Sequence, residues 1–289
     1  MSAVRTEHPR HLTDATRRRA GSILAGLSGP GFVKRAIYRV YTSRLRSRVL
    51  DNPVPQHIGV VLDGNRRFAL RNGYADTSVG HRLGTERVDD LLRWCDTLEV
   101  PIVTLWTLSI DNLSRPQPEL DGLLKAVEEG LPHLGEVLGT LRNPRRIKAS
   151  GRIELLPAPL REAFARAEQA TAPNGPYLLN IAAGYGGREE IVDAVRELLA
   201  EYAAQGKSAA AAASSVSKGD IERHLYLNGV PDPDLIIRTS GEQRLSGFLL
   251  WQSVYSEYYF CDALWPDFRE LDFLRAIRAY QQRRRRFGH

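Results

Sequence analysis

The stretch at residues 57–69, HIGVVLDGNRRFA, constrains this chain more than any other. An apolar run, Ile58-Gly59-Val60-Val61-Leu62, stops abruptly at Asp63-Gly64-Asn65-Arg66-Arg67. A short run that is apolar on both sides of its pleat predicts a strand buried in a parallel sheet. In such sheets chemistry collects just past the carboxyl ends of the strands. There the chain places a carboxylate, a flexible glycine, an asparagine and two arginines. That set suits a magnesium-bound phosphate: the carboxylate takes the metal, and backbone N–H groups and guanidinium forks take phosphate oxygens.

The bulk numbers narrow the class. The chain has 289 residues, 43% of them hydrophobic, enough for a full core. Its two cysteines, Cys95 and Cys261, form no CxxC pair. A disulfide framework or zinc site is therefore not expected, and a reducing cytoplasm fits. No apolar run approaches the roughly 20 residues of a membrane-spanning helix. The stretch Arg17-Arg18-Arg19 followed by residues 20–27 is too short and too broken by glycine for a signal peptide.

The net charge of +6 is unevenly spread. Residues 1–50 carry 11 Lys/Arg against 2 Asp/Glu, and residues 275–289 carry 6 Arg and no acid. The body between them is left at −9. An acidic body argues against a nucleic-acid groove, and no nucleic-acid partner is expected.

Residues 1–32 read as a disordered basic N-terminus and residues 33–50 as a basic amphipathic helix with apolar groups at Val33, Ile37, Val40, Leu45 and Val49. That helix reads as a solvated helix packing on the body or as one lying against an anionic surface, and the second reading makes a peripheral contact with the inner face of the plasma membrane part of the expectation. Residues 51–289 read as one domain. Strands are expected at 102–108, 147–156, 177–183 and 234–238. Helices are expected through 88–98, 120–141, 158–170, 189–203 and 270–286. The Ala/Ser tract at 208–217 reads as a loop or weak helix, and 248–260 is ambiguous. The alternation predicts an α/β fold, a single domain with a mostly parallel sheet flanked by helices.

Polar sets follow the strands repeatedly: 63–67, then Ser109 to Pro116, then Gly184-Tyr185-Gly186-Gly187-Arg188, then Arg238 to Gly247. Taken singly, each has a plain structural reading: Asp-Gly-Asn is a common turn, Gly-Tyr-Gly-Gly enters a helix, and Arg283–Arg286 is a solvated helix end. Taken together, one sheet edge would hold Asp63, Asn65, Arg66, Arg67, Asn112, Arg115, Arg188, Arg238, Arg244 and Ser246. Many arginines with few acids describe a site for a multiply charged anion, and diphosphate is the natural candidate. The sequence lacks a DDxxD pair, a GxSxG elbow and a zinc-type histidine pair, which weakens all-helical synthase and hydrolase readings.

HIGVVLDGNRRFA, GHRLG at 80–84, SxxNxxRP at 109–116, NIAAGYGGREEIVDAVREL at 180–198 and DPDLIIRTSGEQRLSGFLLWQSVYSEYYFCDALWPDF at 232–268 resemble the cis-prenyltransferases, the undecaprenyl diphosphate synthase-like enzymes. The likeness is strongest to the short-chain actinobacterial Z-farnesyl diphosphate synthases, and runs from about His57 to Gly288. It implies a homodimer that condenses isopentenyl diphosphate with an allylic diphosphate, forming a cis double bond with Mg2+. It implies a hydrophobic tunnel under the carboxyl edge of the sheet. By position, Asp63 and Glu257 would hold the metal, Glu257 across the dimer. Gly64, Asn65, Arg66, Arg67 and Phe68 would bind the allylic diphosphate, and Arg238, Arg244 and Ser246 that of isopentenyl diphosphate. His81 and Asn112 would assist proton removal or diphosphate departure. Ser109 and Arg115 belong to the same substrate-binding motif, and Arg286 and Gly288 to a C-terminal RxG that reaches the partner's site.

The resemblance leaves the product open. Phe68 stands where many members have Trp, Thr77 near a position where longer-chain members have Arg, and Leu113 where Trp is common. Trp106, Thr107 and Leu108 come from the strand lining the tunnel, and Thr107 is smaller than expected for a strict C15 enzyme. The expected product is C15 Z-farnesyl diphosphate from a dimethylallyl or geranyl primer. Longer polyprenyl (decaprenyl or undecaprenyl) diphosphate, an irregular branched product, and a non-catalytic partner subunit are the competing readings.

Overall fold

The computed structural model describes residues 30–283, with side chains from residue 35 onward. Residues from Val49 onward form one compact unit, and the helical segment ending at Arg48 another. In chain order the helices are α1 (Pro30–Leu50), α2 (Asn65–Arg71), α3 (Ser78–Thr97), α4 (Gln117–Thr140), α5 (Ala158–Thr171), α6 (Gly187–Ala204), α7 (Ala209–Ser215), α8 (Lys218–Arg223) and α9 (Glu270–Gln282). The strands are β1 (His57–Val61), β2 (Ile102–Ser109), β3 (Arg145–Ser150), β4 (Tyr177–Tyr185), β5 (Leu235–Arg238) and β6 (Glu257–Phe260). They form one sheet in the order β3-β4-β2-β1-β5-β6, with every pairing parallel.

All five residues of β1 are buried, as its apolar run requires. Helices cover both faces. Leu91, Leu92 and Cys95 of α3, Leu138 of α4 and Phe273 and Ile277 of α9 are essentially inaccessible. Trp94 stacks on Phe273, and Trp265 on Phe268, closing the seam between α3 and α9. Both cysteines are free and buried, and burial pushes the Cys95 thiol up to about 12.

Register sets the site. Val61, the last residue of β1, lies level with Trp106 of β2 and Arg238 of β5. The polar sets that follow these strands therefore emerge side by side. Around Trp106 and Leu108 the β2–β4 register slips, leaving Thr107 unpaired in the ladder. Its hydroxyl donates instead to the Ala182 carbonyl at 3.1 Å. Such bulges re-aim side chains, and this one does so at the edge of the site.

The structure redraws several expected elements. The strand expected over 147–156 is Arg145–Ser150. It stops because Gly151 takes a φ of +117°, and a short 3-10 turn follows at Ile153–Leu155. The Ala/Ser tract folds as α7, capped by the Ser208 hydroxyl on the Ala211 N–H. The ambiguous 248–260 stretch is a series of turns before β6. In α1 the buried side chains are Thr42, Leu45 and Val49, whereas Ile37 and Val40, expected on the same apolar stripe, are exposed along with Tyr41. No described helix is long and apolar enough to cross a membrane. The expected disorder of 1–32 lies, through residue 29, outside the described residues, as does the end of the last predicted helix beyond 283.

His57 ties β1 to its neighbours. Its Nδ1–H donates to the Pro231 carbonyl at 2.6 Å, so Nε2 accepts from the Thr104 hydroxyl at 2.7 Å. Burial outweighs the Pro231 bond and the Asp234 charge and lowers its pKa to about 4. Between about pH 6.5 and 4 the unfolded chain binds a proton there that the folded one does not. Stability from this residue is therefore complete above the unfolded value and lost as pH falls toward 4. We expect the urea midpoint to drop across that window in the wild type and more shallowly in His57→Gln; equal slopes would contradict the assignment.

Candidate active site

The turn after β1 is made by Gly64, whose φ of +112° and ψ of 0° suit only glycine. It swings the chain into α2 and leaves Asp63 at the rim. The Asp63 N–H donates to Thr239 Oγ1 at 3.0 Å, and the Thr239 hydroxyl reaches back to the Asp63 carbonyl at 2.7 Å. This stitches the ends of β1 and β5 together. Packing of α3 fixes α2 from behind. A Cβ at Gly80 would lie 2.1 Å from the Asn65 carbonyl oxygen, and one at Gly84 would lie 2.5 Å from Asn65 Oδ1. Two glycines one turn apart thus let the helices touch through Asn65.

Arg238 is 5% exposed. Its Nη2 donates to Asp63 Oδ2 at 2.9 Å, and its Nη1 donates to the Arg244 carbonyl at 2.6 Å and to Ser246 Oγ at 2.7 Å. One buried guanidinium therefore holds the carboxylate and the loop after β5 together. That loop is strained: Ser240, Ser246 and Leu249 all take positive φ. Non-glycine residues hold such values only where their surroundings insist on them. Burial pushes the Asp63 carboxyl up, but the hydrogen bond from Arg238 and the charges of Arg238 and Arg67 hold it below its ordinary value. It is ionised at neutral pH.

The other guanidinium groups share acids in the same way. Arg66 and Arg115 both pair with Glu119, at 3.0 and 2.9 Å. Arg67 and Arg244 both pair with Glu242, and Arg67 also reaches Asp63 at 3.4 Å. Five arginines are thus balanced by three carboxylates. The excess is positive, and half-exposed pairs in water are weakly held. The site is charged to receive an anion.

Three cavities meet at Leu62 and Thr107, and Asp63 borders two of them. A polar cavity of about 500 Å³, counting its open mouth, is bordered by Asp63, Gly64, Asn65, Arg66, Arg67, His81, Asn112 and Arg115. A second polar cavity, about 720 Å³, is bordered by Asp63, Trp106, Ser109, Asn112, Arg115, Arg238 and Ser246. Asp63, Thr107, Asn112 and Arg115 belong to both. Beneath the first lies an apolar cavity of about 630 Å³ between α3, α4 and the sheet, joined to it at Leu62, Asn65, His81, Thr107 and Leu123.

His81 stands at that junction, 7% exposed, with neither ring nitrogen hydrogen-bonded within the protein. Burial, helped by the Arg115 charge, lowers its pKa to about 4, so the ring is neutral at neutral pH. Asn112 and Ser109 cap each other: Asn112 Oδ1 accepts from the Ser109 N–H and Ser109 Oγ from the Asn112 N–H. The Asn112 amide nitrogen is left as a donor.

The remaining residues expected at the site are placed apart from these cavities. Phe68 is half-buried on α2 and borders none of the three. Arg244 is on the rim, and its backbone carbonyl, not its side chain, contacts Arg238. Arg188 is exposed on α6. Glu257 opens β6 level with Leu235, at the opposite end of the sheet from Asp63, and pairs with Arg283 at 2.7 Å. Arg286 and Gly288 lie outside the described residues. Reading the sequence missed Thr239, Glu119 and Glu242 as members of the site. The four-residue step from Arg115 to Glu119 was the available signal for one of them.

Comparison with known proteins agrees with this geometry. The family model described as "Putative undecaprenyl diphosphate synthase" matches residues 61–288. The chain is 49% identical over 258 residues, 89% of its length and 99% of the relative's, to a (2Z,6E)-farnesyl diphosphate synthase of Thermobifida fusca. It is 47% identical over 256 residues, 89% and 97% of the two chains, to an isoprenyl transferase of Thermus thermophilus. Among solved structures, lavandulyl diphosphate synthase from Lavandula x intermedia, in complex with dimethylallyl diphosphate, superposes with a TM-score of 0.76 at 34% identity, covering 82% of this chain and 99% of that one.

Fold, site and relatives together define a prenyl-transferring α/β enzyme. The chain belongs to the undecaprenyl diphosphate synthase family, the cis-prenyltransferases.

The contact of α3 with Asn65 is testable. Gly80→Ala forces a methyl against backbone, an overpacking that costs about 1–3 kcal/mol. We expect a lower Tm and weaker binding of inorganic pyrophosphate by calorimetry. Gly139→Ala, where a Cβ meets nothing within 4 Å, serves as the neutral control. Unchanged pyrophosphate binding in Gly80→Ala would show that the α2–α3 contact does not position the anion site.

Proposed function

We propose that this enzyme condenses isopentenyl diphosphate with dimethylallyl or geranyl diphosphate to give a cis, short-chain prenyl diphosphate, the C15 Z-farnesyl compound, with Mg2+. The carrying observation is that Asp63 borders two cationic cavities at once, one of which shares Asn65, His81 and Leu123 as well as Leu62 and Thr107 with an apolar cavity. The allylic substrate would set its diphosphate against Asn65, Arg66 and Arg67 and its tail below. Isopentenyl diphosphate would sit against Arg238 and Ser246, with Arg244 closing over it.

Cavity length supports the C15 product. Along α3 the lining runs from His81 to Asp89, about 12 Å at 1.5 Å per residue, and along α4 from Leu123 to Leu134, about 16 Å. A three-bond peptide unit spans at most ~3.6 Å, so a four-bond isoprene unit spans about 4.5 Å. The cavity therefore takes about three units. A longer polyprenyl chain would need more depth.

Within the described residues no three His, Cys, Asp or Glu side chains cluster. A lone carboxylate fits Mg2+, which keeps few protein ligands and binds chiefly through substrate phosphates. Asp63 would hold the ion beside the allylic diphosphate, with Glu257 of a partner copy as the second carboxylate. When bound, the ion stabilises the charge that collects on the departing diphosphate. The arginines do the same from fixed positions, and alignment of the two substrates across Asp63 lowers the entropic part of the barrier. Neutral His81 and the Asn112 amide can donate hydrogen bonds to diphosphate oxygens near the bond that breaks.

A homodimer is part of the reading. The edge strand β6 is half-exposed, and Val254 and Tyr255 beside it are exposed by 68% and 72%. Pairing there would carry Glu257 and the tail with Arg286 and Gly288 toward a second site. In α1, which has no acidic residue, exposed Ile37, Val40 and Tyr41 among arginines suit peripheral contact with an anionic membrane face.

The test is to incubate protein, Mg2+ and labelled isopentenyl diphosphate with dimethylallyl, geranyl or farnesyl primers, and read product length and double-bond geometry. Asp63→Asn keeps an acceptor for Arg238 but removes the charge. We expect at least about a hundredfold loss of turnover with an unchanged circular dichroism spectrum. Near-normal turnover would overturn the role of Asp63.

A further inference from the structure

The second polar cavity has one aromatic wall. Its lining is polar or charged except for Val61, Leu62 and the indole of Trp106. Leu105 and Thr107, the neighbours of Trp106 on β2, border the apolar cavity; Trp106 does not, because successive side chains of a strand leave opposite faces. Phe248 stacks on the indole, with ring centroids 5.2 Å apart and planes 8° from parallel. Tyr185 stands nearly perpendicular to both rings, 6.2 Å from each. Phe248 and Tyr185 are each 1% exposed. The bare backbone of Gly59 makes room for the stack: a Cβ there would lie 2.9 Å from Phe248 Cε1. The indole is thus held firmly from behind, and the part of it left open borders the cavity.

Its Nε1–H is buried and has no acceptor among the described residues. A buried indole normally finds one, and going without carries a penalty that phenylalanine would avoid. That points to the ring, rather than the donor, as what the site uses. Position agrees. Val61 lies level with Trp106 on one side and with Arg238 on the other. Two strand spacings of about 4.8 Å separate Trp106 from Arg238 by about 10 Å, a span that a diphosphate carrying five carbons covers. With its diphosphate on Arg238 and Ser246, isopentenyl diphosphate would lay its hydrocarbon end on the indole.

In the condensation, C4 of the isopentenyl double bond bonds to C1 of the allylic substrate, whose C–O electron pair leaves with the diphosphate. C3 is then a tertiary cation. The C2–H bonding pair forms the new double bond, and the proton passes to a diphosphate oxygen. We infer that Trp106 is a catalytic residue whose π face stabilises the positive charge at C3. This rests on the prenyl-elongation reading and adds to it the group that meets the charge on the acceptor substrate. Of the aromatic side chains, tryptophan attracts a cation most strongly, and more so where water is excluded.

Fluorinated tryptophans placed at position 106 alone weaken the π face stepwise and keep the shape. We expect the single-turnover condensation rate to fall about twofold per fluorine, with KM for isopentenyl diphosphate unchanged within about twofold. A rate indifferent to fluorination, or an effect confined to KM, would overturn the inference. A second readout needs no turnover. 2-(Dimethylamino)ethyl diphosphate carries a protonated nitrogen where C3 stands, and 3-methylbutyl diphosphate is its neutral counterpart. By calorimetry the wild type should prefer the ammonium compound about tenfold, and Trp106→Leu should cut that preference to about twofold. No preference in the wild type, or one that survives Trp106→Leu, would contradict the role of the ring. A wild type that elongates no primer would defeat the elongation reading instead, since the ammonium preference is measured without it.

Discussion

The active edge of this protein depends on one ion pair, Arg238 with Asp63. Arg238 is buried at the end of β5, and a buried cation needs a partner and satisfied hydrogen bonds. Asp63 supplies the charge and accepts from Nη2, the Arg244 carbonyl and Ser246 hydroxyl accept from Nη1, and Nε has no acceptor among the described residues. The same contacts hold the loop after β5 in a backbone path that includes left-handed Ser240 and Ser246. The carboxylate, kept ionised by its neighbours, is thereby fixed between two cavities. Parallel register makes this arrangement possible, because it brings Val61 and Arg238 to the same level.

Around that pair the protein keeps its cations ready without leaving them bare. Arg66 and Arg115 share Glu119; Arg67 and Arg244 share Glu242. These acids hold the guanidinium groups in place and give them up at modest cost to a more highly charged ligand. On the proposed function, Glu119 at the start of α4 and Glu242 in the β5 loop would act as placeholders for phosphate. Substrate binding in this account exchanges one set of anions for another on arginines already in position, which limits reorganisation when charge develops on the leaving group.

Much of this was legible in the sequence, because parallel strands are short, apolar on both faces and followed at once by the polar residues they present. The motif at 57–69 announced β1, the Gly64 turn and Asp63, and the run ending in Arg238 announced β5. Reading failed where the determinant was tertiary. The strand expected over 147–156 ends at Ser150 because Gly151 turns under the Ala183 carbonyl, an approach local pattern does not reveal. The exposed Ile37 and Val40 of α1 looked like a core stripe because periodicity does not say which face is covered. Glu119 and Glu242 were passed over because a phosphate site was sought among cations. Thr239 was hidden inside a motif whose neighbours carry charge.

The most direct test of the central claim is a crystal structure with Mg2+, isopentenyl diphosphate and an unreactive thio-analogue of the allylic substrate. One diphosphate is expected on Asn65, Arg66 and Arg67, the other on Arg238 and Ser246, and the Asp63 carboxylate between them. Both diphosphates on one side of Asp63, or the Arg238–Asp63 pair intact with neither diphosphate within reach, would contradict it.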